Sequence, residues 1–126
     1  MPWFAAHVLE TTQVIDGTQA EYPVWENIMV FEAPDHDVVW DVAEVVARKR
    51  YGYDPVSSDT SLEGKPARRR LVGIRRIVFI LDQFPASGAE VSYLHYHVPD
   101  MESLEKLMCE EPINIRFDEA LEKSKT

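Results

Sequence analysis

Apolar residues recur along this chain with two different spacings, and the alternation between them lays out a fold. Trp3 to Thr12 (WFAAHVLETT) is rich in residues that favour extended backbone and predicts a first strand. The Asp16-Gly17 pair supplies a turn signal, and Tyr22 to Ala33 predicts a second strand. Side chains alternate faces along a strand, so Val24, Ile28 and Val30 share one face while Trp25, Met29 and Phe31 share the other. Pro23 cannot donate to a ladder, which marks this strand as an edge or its start as the point where the chain joins the sheet. In Arg69–Leu81, Val72, Ile74, Val78 and Ile80 fall on one side, with Leu71, Ile77, Phe79 and Leu81 on the other. A run apolar on both sides predicts a central strand covered on both faces. Glu90 to Val98 predicts a fourth strand, with Leu94, Tyr96 and Val98 opposite Val91, Tyr93, His95 and His97.

Between the second and third strands the spacing becomes helical. Val39, Val42, Ala43 and Val46 form a stripe that Val38 and Val45 widen. Asp35 is placed as an N-cap, Asp37 and Asp41 suit the positive end of the dipole, and Arg48, Lys49 and Arg50 suit the negative end. Gly52 is a terminator, so one long helix is predicted over about 35–50. Its valines are mediocre helix formers, and it therefore depends on packing against the sheet. Residues 53–66 are a polar connector. Pro99-Asp100 opens a short helix, Met101 to Glu110, and after Pro112 a second is expected over about Asn114–Lys123. The expectation is a single α+β domain spanning 1–126: a ββαββ, antiparallel-rich, four-stranded sheet with one long helix and two short C-terminal ones. One helix covers one face. The other needs the C-terminal helices or a second copy of the chain, and a homodimer is the favoured expectation.

Charge refines that picture. The formal net charge is −9, yet residues 48–76 hold nine basic side chains against three acidic ones, while the rest of the chain holds four against nineteen. Segregation of this kind steers partners and suits two-fold pairing. Overall acidity argues against a general nucleic-acid binder, which must neutralise phosphates. No apolar run of about 18 residues is present to cross a bilayer, and the opening MPWFAAHV lacks the pattern of a secretory signal. The single cysteine, Cys109, excludes an internal disulfide framework and suits a reducing, cytoplasmic setting. It reads as a small apolar filler with no adjacent base.

Candidate chemistry is sparse. His95 and His97, two apart on a predicted strand, point the same way beside Tyr93 and could begin a metal site. His7 or Glu90 could add a ligand, but none has motif spacing, so no metal and no cofactor is assigned. Arg68, Arg69, Arg70, Arg75 and Arg76 could grip phosphate or an acidic partner. Strict alternation puts Arg75 and Arg76 on opposite sides, with Arg68, Arg70 and Arg76 sharing one parity and Arg69 and Arg75 the other. Pairing with nearby carboxylates is the simpler account of these arginines. Trp40 lies off the main valine stripe, where it could reach a partner. There is no Gly-rich phosphate loop, G-x-S-x-G, H-E-x-x-H or cysteine pair, and no catalytic residue is assigned.

Several stretches together resemble a known family. They are W-F-A-A-H-V-L (Trp3–Leu9), V-W-E-N-I-M-V-F-E-A (Val24–Ala33), L-V-G-I-R-R-I-V-F-I (Leu71–Ile80) and G-A-E-V-S-Y (Gly88–Tyr93). The resemblance is to the bacterial domain of unknown function 4288, over about residues 3–93, carried mostly by aromatic and strand-core positions. The 53–66 connector, the arginine cluster and the tail after Pro99 depart from it. It implies the fold and brings no activity. The sequence therefore predicts a non-enzymatic, dimeric protein-interaction or ligand-binding module. The alternatives are a small metal- or acid/base-dependent enzyme using His95 and His97, or a local phosphate or nucleic-acid contact through Arg68–Arg76.

Overall fold

The protein is described by a computed structural model covering residues 1–52 and 60–117. Two compact units divide it, Met1–Ser92 and Tyr93–Thr126. The first is built from β1 (Trp3–Val14), β2 (Val24–Glu32), α1 (Val39–Tyr51), β3 (Thr60–Leu62) and β4 (Lys65–Phe79). Its strands form one curled antiparallel sheet in the order β2-β1-β4-β3. The fold is α+β.

The spine of the sheet is β1. It pairs with β2 from Trp3 to Thr11 and with β4 from Phe4 to Val14, so from Phe4 to Thr11 it has a strand on both sides. The Arg69–Leu81 run was expected in that role, and β4 does lie inside the sheet. Its outer side, however, meets β3 only from Lys65 to Ala67, and the strand stops at Phe79, leaving Leu81 exposed. Apolar content on both sides of a strand measured propensity here, not centrality.

One face of the sheet carries the core. Phe4, Ala6 and Val8, every second residue of β1, are buried with Met29 and Phe31 of β2 and Val39, Ala43 and Ala47 of α1. The Phe4 ring lies 5.8 Å from that of Phe31 and 5.4 Å from that of Phe79. Each of the larger buried side chains, Phe4, Val8, Met29, Phe31 and Val39, contributes about 1.5–3 kcal/mol by leaving water. The helix seats differently from its valine pattern. Its fully buried positions are every fourth residue, Val39, Ala43 and Ala47, while Val42 and Val46 are half-buried and Val45 is exposed. Small alanines let the helix approach the sheet closely, and the valines flank the seam. Trp40, expected to reach outward, packs against the same core.

The ends of the helix also show how sequence becomes geometry. The Asp35 carboxylate accepts from the backbone N–H of Asp37 (2.9 Å) and Val38 (3.3 Å), capping a turn just ahead of the helix, which begins at Val39. At the other end Gly52 N–H donates to Arg48 O at 2.9 Å. A Cβ at Gly52 would come within 2.4 Å of that same oxygen, so glycine is the residue that fits.

The fourth place in the sheet is taken by a different stretch from the expected one. Thr60–Leu62 turns through Glu63-Gly64, both at positive φ (54° and 77°), and runs back as β4. That is a two-residue hairpin turn whose handedness matches strand twist. It lay hidden in what read as a polar connector, of which residues 53–59 fall outside the described residues. Glu90–Val98 forms no strand of this sheet, so the ββαββ order is not what is observed. In the second unit, β5 (Tyr96–His97) pairs with β6 (Arg116–Phe117), and Tyr96 and Phe117 meet edge to face at 5.6 Å. The helix expected over about 114–123 is thus a strand at Arg116–Phe117, and its later residues lie outside the described residues. Between β5 and β6 runs α2 (Met101–Met108), opened as predicted by Asp100, whose carboxylate accepts from Ser103 N–H at 2.8 Å and is held below its usual pKa by that bond. Cys109, read as a small apolar filler, closes α2 and is exposed. No helix among the described residues is long and apolar enough to cross a membrane.

Candidate functional site

On the sheet face turned away from α1, the apolar pattern of β1 is broken by a histidine. His7 follows Ala6 and precedes Val8, both core residues, so alternation sends its ring to the opposite side. Being on the central strand, it is only 1% exposed. A polar ring buried to that degree needs partners for both nitrogens. Its register partner on β2 is Ile28, and Glu26, two residues away, shares that face. Glu26 Oε2 lies 2.6 Å from His7 Nδ1. On the other side of the ring, His7 Nε2 is hydrogen-bonded to Ser92 Oγ, at the end of the irregular segment that follows β4.

Two arginines complete the group. Arg76 is the β4 register partner of His7. Arg75 donates to Glu26 Oε2 through both its ε-nitrogen (3.1 Å) and its Nη2 (2.5 Å). Strict alternation had placed Arg75 and Arg76 on opposite sides. The correction comes from a bulge: between His7 and Val8 the partner on β4 skips from Arg76 to Ile74, leaving Arg75 as the extra residue. A second skip between Leu9 and Glu10 leaves Val72 extra, beside Gly73 at φ 150°. A glycine in mid-strand was the available sign that alternation would fail there.

The charges follow from this geometry. Burial pushes the His7 pKa below 6.5, and Arg76 and Arg75 push the same way, against the opposing pull of Glu26. The ring is therefore neutral near neutral pH. A carboxylate can only accept, so the proton sits on Nδ1 and Nε2 accepts from the Ser92 hydroxyl. For Glu26, burial acts upward, but hydrogen bonds from Arg75 and His7 and the charge of Arg75 outweigh it, and the carboxyl sits below its usual range. Hydroxyl, neutral imidazole and carboxylate thus stand in line, an order that can carry a proton from Ser92 toward His7. On the other face, buried Glu10 accepts from Asn27 Nδ2 at 2.5 Å through Oε1, while its Oε2 has no hydrogen-bond partner among the described residues.

Of the residues singled out from sequence, only His7, Arg75 and Arg76 are gathered here. His95 and His97 lie in the second unit, both exposed, their ring centroids 5.3 Å apart, with Tyr93 also exposed. Both nitrogens of His7, considered as a further ligand, are occupied within the first unit. Among the described residues no group of three or more His, Cys, Asp or Glu is placed to hold a metal ion. Arg69 stacks on Trp25 at 5.1 Å, a cation–π contact, while Arg68 and Arg70 face Gln13 and Thr11 across the ladder. Sequence reasoning missed Glu26 and Ser92. The parity of Glu26 with the Ile28 face was readable, but its pairing with His7 depends on strand register, and Ser92 arrives through an irregular segment that no periodicity places. Comparison with family models, with curated proteins and with solved structures gives no match.

Proposed function

We propose that this protein is a non-enzymatic, homodimeric interaction module whose working surface is the side of the sheet turned away from α1. The observation that carries this reading is the exposure of Val24 (59%), Ile28 (51%) and Val30 (36%), three β2 side chains sharing that face. Apolar side chains left in water along one strand face favour association. The His7–Glu26–Arg75 network beside them acts, in this reading, as a rigid polar brace. Cytoplasmic residence belongs to the same reading and is supported by the lone cysteine. The resemblance to domain of unknown function 4288 supports a bacterial setting without adding an activity. Light scattering across a concentration series tests the proposal: a dimeric mass is expected. A monomer at every concentration, with pull-downs recovering the protein alone, would overturn it.

A second reading, acyl transfer at Ser92, is favoured by the Ser92–His7–Glu26 alignment. Ser92 Oγ would attack an ester carbonyl, its proton passing to His7 Nε2 and then to the leaving alcohol, and water would release the acyl group. Deep burial of His7 ranks this second, because substrate must reach the hydroxyl and the ring edge together. Labelling by a fluorophosphonate probe that is lost in Ser92→Ala would promote it, and absence of labelling would remove it. The acid/base alternative built on His95 and His97 has the weaker support, since both residues are exposed to water.

A further inference from the structure

We propose that two copies join edge to edge along β2, antiparallel about a two-fold axis through Ile28, to make one continuous eight-stranded sheet. This rests on the dimeric reading above and names its surface, partner and register. Among the described residues β2 ends the sheet on one side. Its hydrogen-bonding parity follows from one contact: Ala33 N–H donates to Pro2 O, just past the strand, so odd-numbered residues point their backbone groups at β1. The even-numbered residues Val24, Glu26, Ile28, Val30 and Glu32 therefore aim their N–H and C=O groups outward.

The sheet has a second long edge, and the contrast between the two is informative. Beyond Ala67, no strand among the described residues lies outside β4. That edge carries Arg68, Arg69, Arg70, Arg75 and Arg76 and two bulges, devices that keep strands from pairing. Val24–Glu32 has no lysine, arginine, proline or bulge. Its two carboxylates are already met within the chain, Glu26 by Arg75 at 2.5 Å and Glu32 by the N-terminal ammonium at 3.9 Å. Despite a net charge of −9 on each copy, the seam itself is close to neutral.

Register then follows from self-complementarity. With Ile28 opposite Ile28, all nine residues overlap, Glu26 faces Val30 and Glu32 faces Val24. Moving the axis to Met29 sets Glu26 against Glu32, opposing like charges. Moving it to Asn27 confines the overlap to Val24–Val30. A second copy suits this edge because every outward backbone group finds its counterpart by one symmetry operation, Ile28 meets Ile28 on the axis, and no two carboxylates face each other.

The test uses the position on the axis. In a Cys109→Ser background, Ile28→Cys should form a disulfide-linked dimer under mild oxidation, since paired Cα atoms in such a ladder lie about 5.5 Å apart, within disulfide reach. Val45→Cys, exposed on α1, should not. Ile28→Lys and Ile28→Glu should each weaken association at least tenfold by opposing themselves across the axis, and an equimolar mixture of the two should restore it. Dimers that persist in both charge variants, without the Ile28 crosslink, would overturn this pairing and leave the dimeric reading standing. A wild-type protein monomeric at all concentrations would overturn both.

Discussion

The seating of α1 makes a sharp prediction, because two substitutions two residues apart should act in opposite ways. Ala43 is fully buried in the cluster that holds Phe4, Ala6 and Met29, while Val45 is 56% exposed. Ala43→Leu forces three further carbon atoms into the close approach between helix and sheet. Overpacking of this kind costs about 1–3 kcal/mol, a large share of the stability of a small domain. Val45→Ala removes a mostly hydrated side chain and improves helix propensity, so its net effect should stay within about 0.5 kcal/mol of zero. Urea unfolding followed by far-ultraviolet circular dichroism reads both. With a slope of about 1–3 kcal/mol per molar for a protein of this size, a 2 kcal/mol loss lowers the midpoint by about 1 M. The valine pattern alone makes the reverse prediction. An unchanged midpoint in Ala43→Leu with a comparable drop in Val45→Ala would refute the alanine-seamed docking of the helix.

Acid should destabilise the fold in two stages. His7 is held below 6.5 chiefly by burial, so the unfolded chain binds its proton first; stability is intact above about pH 6.5 and declines as pH falls below it. Glu26, held below 4.5, adds a further loss under that value as its folded carboxylate is protonated. Urea midpoints from pH 8 to 4 should show both, with His7→Gln flattening the upper stage, and a level wild-type profile would contradict the burial argument. Glu26→Gln weakens the bonds to His7 and Arg75 and should cost about 1 kcal/mol, a charge-assisted bond discounted for a site that is partly exposed; no change in midpoint would mean the network contributes nothing. Phe4→Ala should cost about 3–5 kcal/mol, given its contacts with Phe31, Phe79 and His36, and a loss under 1 kcal/mol would displace it from the core. Added salt should raise the dimeric fraction in light scattering, because it screens two bodies of charge −9 around a neutral seam; dissociation on adding salt would point to an ion-paired interface instead.

Much of the first unit was legible in local pattern. The two faces of Val24–Glu32 fall as alternation requires, with Met29 and Phe31 buried and Val24, Ile28 and Val30 outside. The helix, its closure at Gly52 and the cap at Asp100 were equally readable, since each depends on neighbours in the chain. The hairpin at Glu63-Gly64 was missed because two polar residues at positive φ look like any other loop. Glu90–Val98 has strand composition, yet only Tyr96–His97 are paired as strand, with Arg116–Phe117, and a strand exists only where another lies beside it.

The candidate site marks the same boundary more clearly. His7 stands out in W-F-A-A-H-V-L as a polar interruption, and local pattern is enough to bury it. Its partners are another matter: Glu26 reaches it through register, Arg75 through a bulge that reverses the expected side, and Ser92 across 85 residues of chain. Side-chain periodicity is a local property and reports what each segment prefers to bury. Which strand becomes the spine, which edge is left open and which distant groups converge on one imidazole depend on pairing between segments, and only the assembled sheet decides them.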